Sequence, residues 1–158
     1  MRDDLDLFFA SRDGARARAY AARFQGCGAF GSYAAAAADP RVEAMYLCTP
    51  HHLHQAHVAL AAQAGKHILV EKPLARTLAE GRAMIAAAQR AGVTLMVAEN
   101  ARFMAAVRQC NTISNEYLCI LLQGRYRCVE VSLWVAHLFI RFGISQTTVV
   151  IVEQLFET

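Results

Sequence analysis

His67-Ile68-Leu69-Val70-Glu71-Lys72-Pro73-Leu74 is the stretch on which the reading of this chain turns. Ile68, Leu69 and Val70 form a short apolar run, as in a buried strand. Proline donates nothing to a sheet ladder and fixes its own φ, so the strand must stop at or before Lys72. A carboxylate and an ammonium are thereby left side by side at the carboxyl end of a core strand. In open α/β sheets that edge is where ligands bind. Two charges there point to a site, although a strand end with a solvated lysine and a turn proline is the plainer alternative.

Outward from this stretch, short apolar runs alternate with alanine-rich segments. Leu7–Ala10 reads as a strand, broken by Ser11-Arg12-Asp13-Gly14, and Ala15–Phe24 as a helix. Ala29–Tyr33 is a possible short strand before a small helix over Ala34–Ala38. Val42–Cys48 is a strong strand stopped by Thr49-Pro50. The helix expected over His52–Ala64 is closed by Gly65 as a C-terminal cap. Thr77 and Glu80 have the spacing of a capping box for a helix over Leu78–Ala91, and Val93–Ala98 is the next strand. Strand, helix, strand with short links marks a parallel, doubly wound α/β sheet. The strands are continuously apolar, as required when helices cover both faces.

Near Gln109 the character changes. Lysine vanishes, alanine thins, and Tyr117–Leu122, Arg125–Val135 and Thr147–Val152 are β-branched, strand-like runs. Residues 1–109 therefore read as one partial α/β domain. Residues 110–158 read as a divergent, β-rich tail, either a small addition or a segment that joins the sheet.

Composition bounds the function. The 158 residues carry 56% hydrophobic and 18% charged residues and a net charge of +3. One domain with a sizeable core is expected. The charge is small and comes with no basic cluster, which speaks against nucleic acid. No uncharged apolar run reaches about eighteen residues, which speaks against a membrane span. Five scattered cysteines without a Cys-x-x-Cys pair or a secretory leader suggest a reduced, cytoplasmic chain.

Three strands end in polar residues that would share one rim: Thr49-Pro50-His51-His52-Leu53-His54, Glu71-Lys72-Pro73, and Glu99-Asn100-Ala101-Arg102. A lysine in a partly desolvated cleft has a lowered pKa and serves as an acid/base. Cys48, His54 and His57 make a metal site conceivable, but three or four converging ligands are needed and no metal is expected. Ser11-Arg12 ends the first strand seen here. In a dinucleotide-binding sheet an arginine at that place accommodates a ribose 2′-phosphate, which favours NADP.

Together these residues carry a resemblance. Ser11-Arg12 before an alanine-rich helix, Asp39-Pro40-Arg41-Val42-Glu43-Ala44, Thr49-Pro50-x-x-x-His54, Ala64-Gly65-Lys66-His67 and Glu71-Lys72-Pro73 follow in order. From Leu5 to Arg108 the pattern resembles the Gfo/Idh/MocA family of NAD(P)-dependent oxidoreductases. The resemblance implies a Rossmann domain that binds NADP or NAD, and hydride transfer to or from a sugar- or polyol-like small molecule. It implies Lys72 as the catalytic lysine of the Glu-Lys-Pro motif. Ser11, Arg12, Thr49, Pro50, His51, His54, Glu71, Lys72 and Pro73 would lie along the cofactor, and Asn100 and Arg102 towards the substrate.

Two departures are visible. Gly26-x-Gly28-x-x-Gly31 has the spacing of a phosphate-binding turn but follows a helix, and reads as a loop. No Asp-x-x-x-His occurs in the tail, where His137 lacks an acid four residues before it. An impaired oxidoreductase is therefore one reading, and a non-catalytic remnant serving as an interaction or oligomerisation module is the other. In the strand order 3-2-1-4-5-6 a missing first strand would leave inner edges unpaired. Thr147–Val152 is expected either to fill that gap or to pair with a second copy, making a homo-oligomer.

Overall fold

In the computed structural model, residues 5–99 are described in full and residues 147–153 as backbone. The strands are β1 (Leu5–Ala10), β2 (Gly28–Phe30), β3 (Ala44–Cys48), β4 (His67–Val70), β5 (Leu95–Val97) and β6 (Thr147–Glu153). The helices are α1 (Gly14–Arg23), α2 (Tyr33–Ala38), α3 (His54–Gln63) and α4 (Leu78–Ala91). All strands run parallel in one sheet of order β2-β1-β6-β3-β4-β5.

Strand alternation sorts the core onto two faces. Met45, Leu47, Ile68 and Val70 pack with Tyr33, Ala36, Ala37, Val58, Ala61, Ala62 and Met84 from α2, α3 and α4. Ala44, Tyr46 and Leu69 turn the other way, joined by Ala98. Phe8 lies on the first face, 5.6 Å from Phe30. Phe9, one residue on, instead stacks on Tyr20 and Phe24 beside α1, at 6.2 and 5.9 Å. Among the described residues α2, α3 and α4 thus cover one face and α1 packs on the other at Phe9. Alanines at the contacts, such as fully buried Ala36 and Ala61, let backbone approach backbone.

β6 lies between β1 and β3. It pairs with β1 from Leu5↔Thr147 to Ala10↔Val152 and with β3 from Ala44↔Val149 to Cys48↔Glu153. Both inner edges are hydrogen-bonded there. The expected strand runs Tyr117–Leu122 and Arg125–Val135 lie outside the described residues.

Local structure differs from expectation at four places. The segment after Pro50 begins as a 3-10 turn, His51–Leu53, with Leu53 N–H donating to Pro50 O at 2.8 Å, and α3 starts only at His54. Tyr33 opens α2 rather than ending a strand, because extended Ser32 caps the helix and accepts from Ala35 N–H at 3.1 Å. Gly28 belongs to β2, so the Gly26–Gly31 spacing is no simple loop. A Cβ on Gly26 would stand 2.7 Å from the Phe9 ring, and one on Gly28 would stand 3.0 Å from Phe8. Those glycines serve sheet packing. The capping box is half formed: Thr77 accepts from Glu80 N–H at 3.2 Å, whereas the Glu80 carboxylate takes Arg76 N–H and its guanidinium.

Candidate functional site at the carboxyl rim of the sheet

The loops after β3 and β4 are neighbours because those strands are paired. His54, 1% exposed, ties them together. Its Nε2 lies 2.8 Å from Thr49 O, and its Nδ1 lies 3.1 and 3.2 Å from Pro73 O and Leu74 O. Carbonyl oxygens only accept, so both nitrogens donate at once only in the doubly protonated ring. The side chain that the Thr-Pro-x-x-x-His spacing places at the rim is therefore a strut beneath it.

A second tether reaches the same loop from the opposite face. Tyr46 Oη donates to Glu71 Oε1 at 2.5 Å, and Glu71 Oε2 accepts from Lys72 N–H at 3.0 Å. Both carboxylate oxygens are thus taken up within the chain. Burial, and then the neighbouring Cys48 and Glu71, push the Tyr46 phenol far up, so it remains a donor. Lys72 and Pro73 are exposed, joined by a cis peptide bond.

On the β1 side, buried Ser11 turns its hydroxyl into the loop, where Oγ accepts from Asp13 N–H at 3.2 Å. Asp13 in turn caps α1, accepting from Ala15 N–H at 2.8 Å. Arg12 is exposed, and its charge acts on two residues across the crevice. One is Tyr33, whose buried hydroxyl meets no partner in full hydrogen-bond geometry but lies within reach of Arg12. Burial raises that phenol's pKa, against the pull of the Arg12 cation. The other is His57, which meets the Tyr33 ring edge-on at 4.8 Å and shares a 3.0 Å hydrogen bond with Thr49 Oγ1. Burial, followed by His54 and Arg12, lowers the His57 pKa, which keeps the ring neutral near pH 7.

The structure therefore brings Thr49, Pro50, His54, Glu71, Lys72 and Pro73 into two adjoining loops, with Ser11 and Arg12 across β6. His51 and His52 sit on the exposed 3-10 turn, rings 6.3 Å apart and nearly perpendicular. Asn100 and Arg102 lie outside the described residues. Among the described residues no three His, Cys, Asp or Glu side chains form a metal-holding group. None of the described helices is long and apolar enough to cross a membrane. Tyr33 and Tyr46 escape sequence reasoning, since each reads as one more apolar residue. A shallow depression between α3 and α4, lined by Ala62, Gly65, Ala87 and Arg90, involves none of these loops.

The profile described as an oxidoreductase family with an NAD-binding Rossmann fold, Gfo/Idh/MocA, matches residues 7–99. Trans-1,2-dihydrobenzene-1,2-diol dehydrogenase of Sus scrofa is 41% identical over 104 residues, covering 66% of this chain and 31% of the relative. An NAD-binding oxidoreductase from Klebsiella pneumoniae superposes with a TM-score of 0.64 at 36% identity, over 68% of this chain and 29% of the other. Levoglucosan dehydrogenase, solved with NADH and levoglucosan, gives 0.60 at 36% identity, over 65% and 27% of the two chains. The chain thus spans about a third of the length of the curated relatives it matches.

Proposed function

This chain belongs to the Gfo/Idh/MocA family of NAD-binding oxidoreductases, and we propose that it supplies the cofactor side of an NAD(P)-dependent dehydrogenase for a sugar- or diol-like substrate. NAD or NADP is the family's cofactor. Two residues present here suit an adenosine ribose or its phosphate: the exposed Arg12 cation, and the buried Tyr33 hydroxyl beside it. Arg12 favours NADP. When bound, the nicotinamide supplies the acceptor or donor of hydride. The described residues contribute proton handling and orientation. Lys72 Nζ, as the neutral amine, takes the proton of the substrate hydroxyl in oxidation and, as ammonium, returns it in reduction. His54 and Glu71 hold the backbone from which Lys72 projects.

The observation that carries this reading is that double anchorage. A solvated turn lysine needs no buried imidazole on one side and no buried phenol–carboxylate pair on the other. The named substrates of the relatives, a dihydrodiol and levoglucosan, support a cyclic carbon bearing a hydroxyl group as the reacting centre. Residues 110–158 are proposed to complete the sheet or a homo-oligomer interface, in a cytoplasmic protein that binds neither nucleic acid nor membrane.

A second reading, a folded interaction or oligomerisation module without catalysis, has one observation in its favour. Among the described residues no glycine-rich strand-to-helix turn stands at the carboxyl rim; Gly26 and Gly28 lie at the entry to β2 instead. Titrating the whole chain with NADPH and NADH, followed by nicotinamide fluorescence, separates the two. Saturable binding that Arg12→Ala weakens about tenfold for NADPH but not for NADH supports the dehydrogenase. No binding at millimolar cofactor overturns it in favour of the module.

A further inference from the structure

Glu71 and Lys72 are adjacent and opposite in charge, yet the carboxylate does not turn to the ammonium. Among the described residues the close ion pairs are Arg41–Asp39 and Arg76–Glu80, and none involves Lys72. The register explains this. Tyr46 stands opposite Leu69, and Glu71 N–H donates to Leu47 O at 2.9 Å, so the ladder pattern continues one residue past Val70. Alternation then sends Glu71 to the face of Leu69 and Tyr46, while Lys72 lies in the exposed bend beyond the strand. There the Tyr46 hydroxyl, on a residue only 2% exposed, holds Glu71 Oε1, while Oε2 closes back on Lys72 N–H.

We propose that Tyr46 is a positioning residue for Lys72: it keeps the Glu71 carboxylate against the sheet and off the Lys72 ammonium. The consequence rests on the reading of Lys72 as the proton carrier. A carboxylate free to swing beside an ammonium favours its charged form and withholds its proton from exchange. A carboxylate held by a buried phenol is kept from that contact. The same tether fixes the backbone direction at Lys72.

The chain has two lysines, which makes the test direct. Lys66, partly buried with Nζ donating to Asp39 O at 2.9 Å, serves as the internal reference. The whole chain is labelled with trace acetic anhydride across a pH series, and the two lysine peptides are quantified by mass spectrometry. Tyr46→Phe is expected to slow acylation of Lys72 relative to Lys66 about threefold near neutral pH, and adding Glu71→Gln to restore the original ratio. An unchanged ratio in Tyr46→Phe, or a loss that Glu71→Gln leaves in place, overturns the proposal.

Glu71→Gln alone keeps the test decisive should Tyr46→Phe fail to fold. With the carboxylate already withheld, its removal is expected to change the ratio less than about twofold. A larger acceleration would mean that Glu71 already pairs with Lys72, and overturns the proposal. None of these readouts involves the cofactor. Absence of NAD(P)H binding would sink the dehydrogenase reading without touching the labelling ratio.

Discussion

Replacing His54 with alanine removes the strut between the β3 and β4 loops. The ring sets Nε2 2.8 Å from Thr49 O and Nδ1 3.1 and 3.2 Å from Pro73 O and Leu74 O, in a site 1% exposed, and a neutral ring donates through one nitrogen at a time. The lost bond is worth about 1 kcal/mol net, and the cavity, with a carbonyl left without its donor, adds a further 1–2 kcal/mol or so. The expected loss is therefore about 2–3 kcal/mol. With a urea slope of about 2 kcal/mol per molar, the midpoint falls by roughly 1–1.5 M. Circular dichroism at 222 nm across a urea series reads this directly, because α1, α3 and α4 dominate the signal. His54→Gln retains a donor able to reach one of the two loops, and should recover about half of the loss. A shift below about 0.5 M for His54→Ala would refute the strut, since it would mean that water serves the carbonyls equally well.

Two further perturbations probe the rest of the fold. Asp39 accepts from Arg41 through the side chain and backbone, which lowers its pKa from 3.8 to about 2. A carboxyl depressed in the folded state stabilises above its unfolded pKa, and that contribution fades as pH falls through about 2. A carboxyl-carbon NMR titration should place the Asp39 midpoint well below that of a free aspartate, and a midpoint near 4 would count against the pair. Val150 stands opposite Phe8 on one side and Met45 on the other, so β6 is laddered along both edges. Val150→Pro strips a donor from a central parallel strand and should cost about 3 kcal/mol or more, abolishing cooperative urea unfolding or lowering its midpoint by over 1 M. An unchanged midpoint would place this segment outside the sheet.

Much of the architecture was legible because it follows from local chemistry. Thr77 and Gly92 bound α4, Asp13 caps α1, and Gly65 and Gly92 take the left-handed conformation their positions require, at φ +70° and +66°. The lysine of the Glu-Lys-Pro corner could be singled out from a strand running into proline. The tethers could not. Tyr46 and Glu71 lie 25 residues apart, and nothing in the linear text of either announces the other. The signal becomes visible only once β3 and β4 are known to be neighbours in register, when alternation puts both on one face. His54 poses the opposite difficulty. Its spacing from Thr49-Pro50 places it at the rim, but spacing does not say which way a ring turns, and here both nitrogens face backbone carbonyls. The glycine spacing at 26–31 is set apart from a phosphate-binding turn by the helix before it, but the linear text does not show that Gly26 and Gly28 leave room for the Phe9 and Phe8 rings.

The two tethers also differ in where they draw their rigidity. His54 belongs to α3, which packs on the Met45 and Ile68 face, whereas Tyr46 lies in the cluster with Ala44, Leu69 and Ala98 on the other. The Lys72 segment is therefore clamped across the thickness of the sheet, each side set by a different core. Residues coupled through one backbone segment depart from additivity by about 0.5 kcal/mol or more. His54 and Tyr46 both hold residues 71–74, so loss of the imidazole and loss of the phenol hydroxyl should couple in stability rather than simply add. A rim loop held in this way cannot shift on one face of the sheet without also breaking its hold on the other, so the position of Lys72 depends on the packing of both faces together.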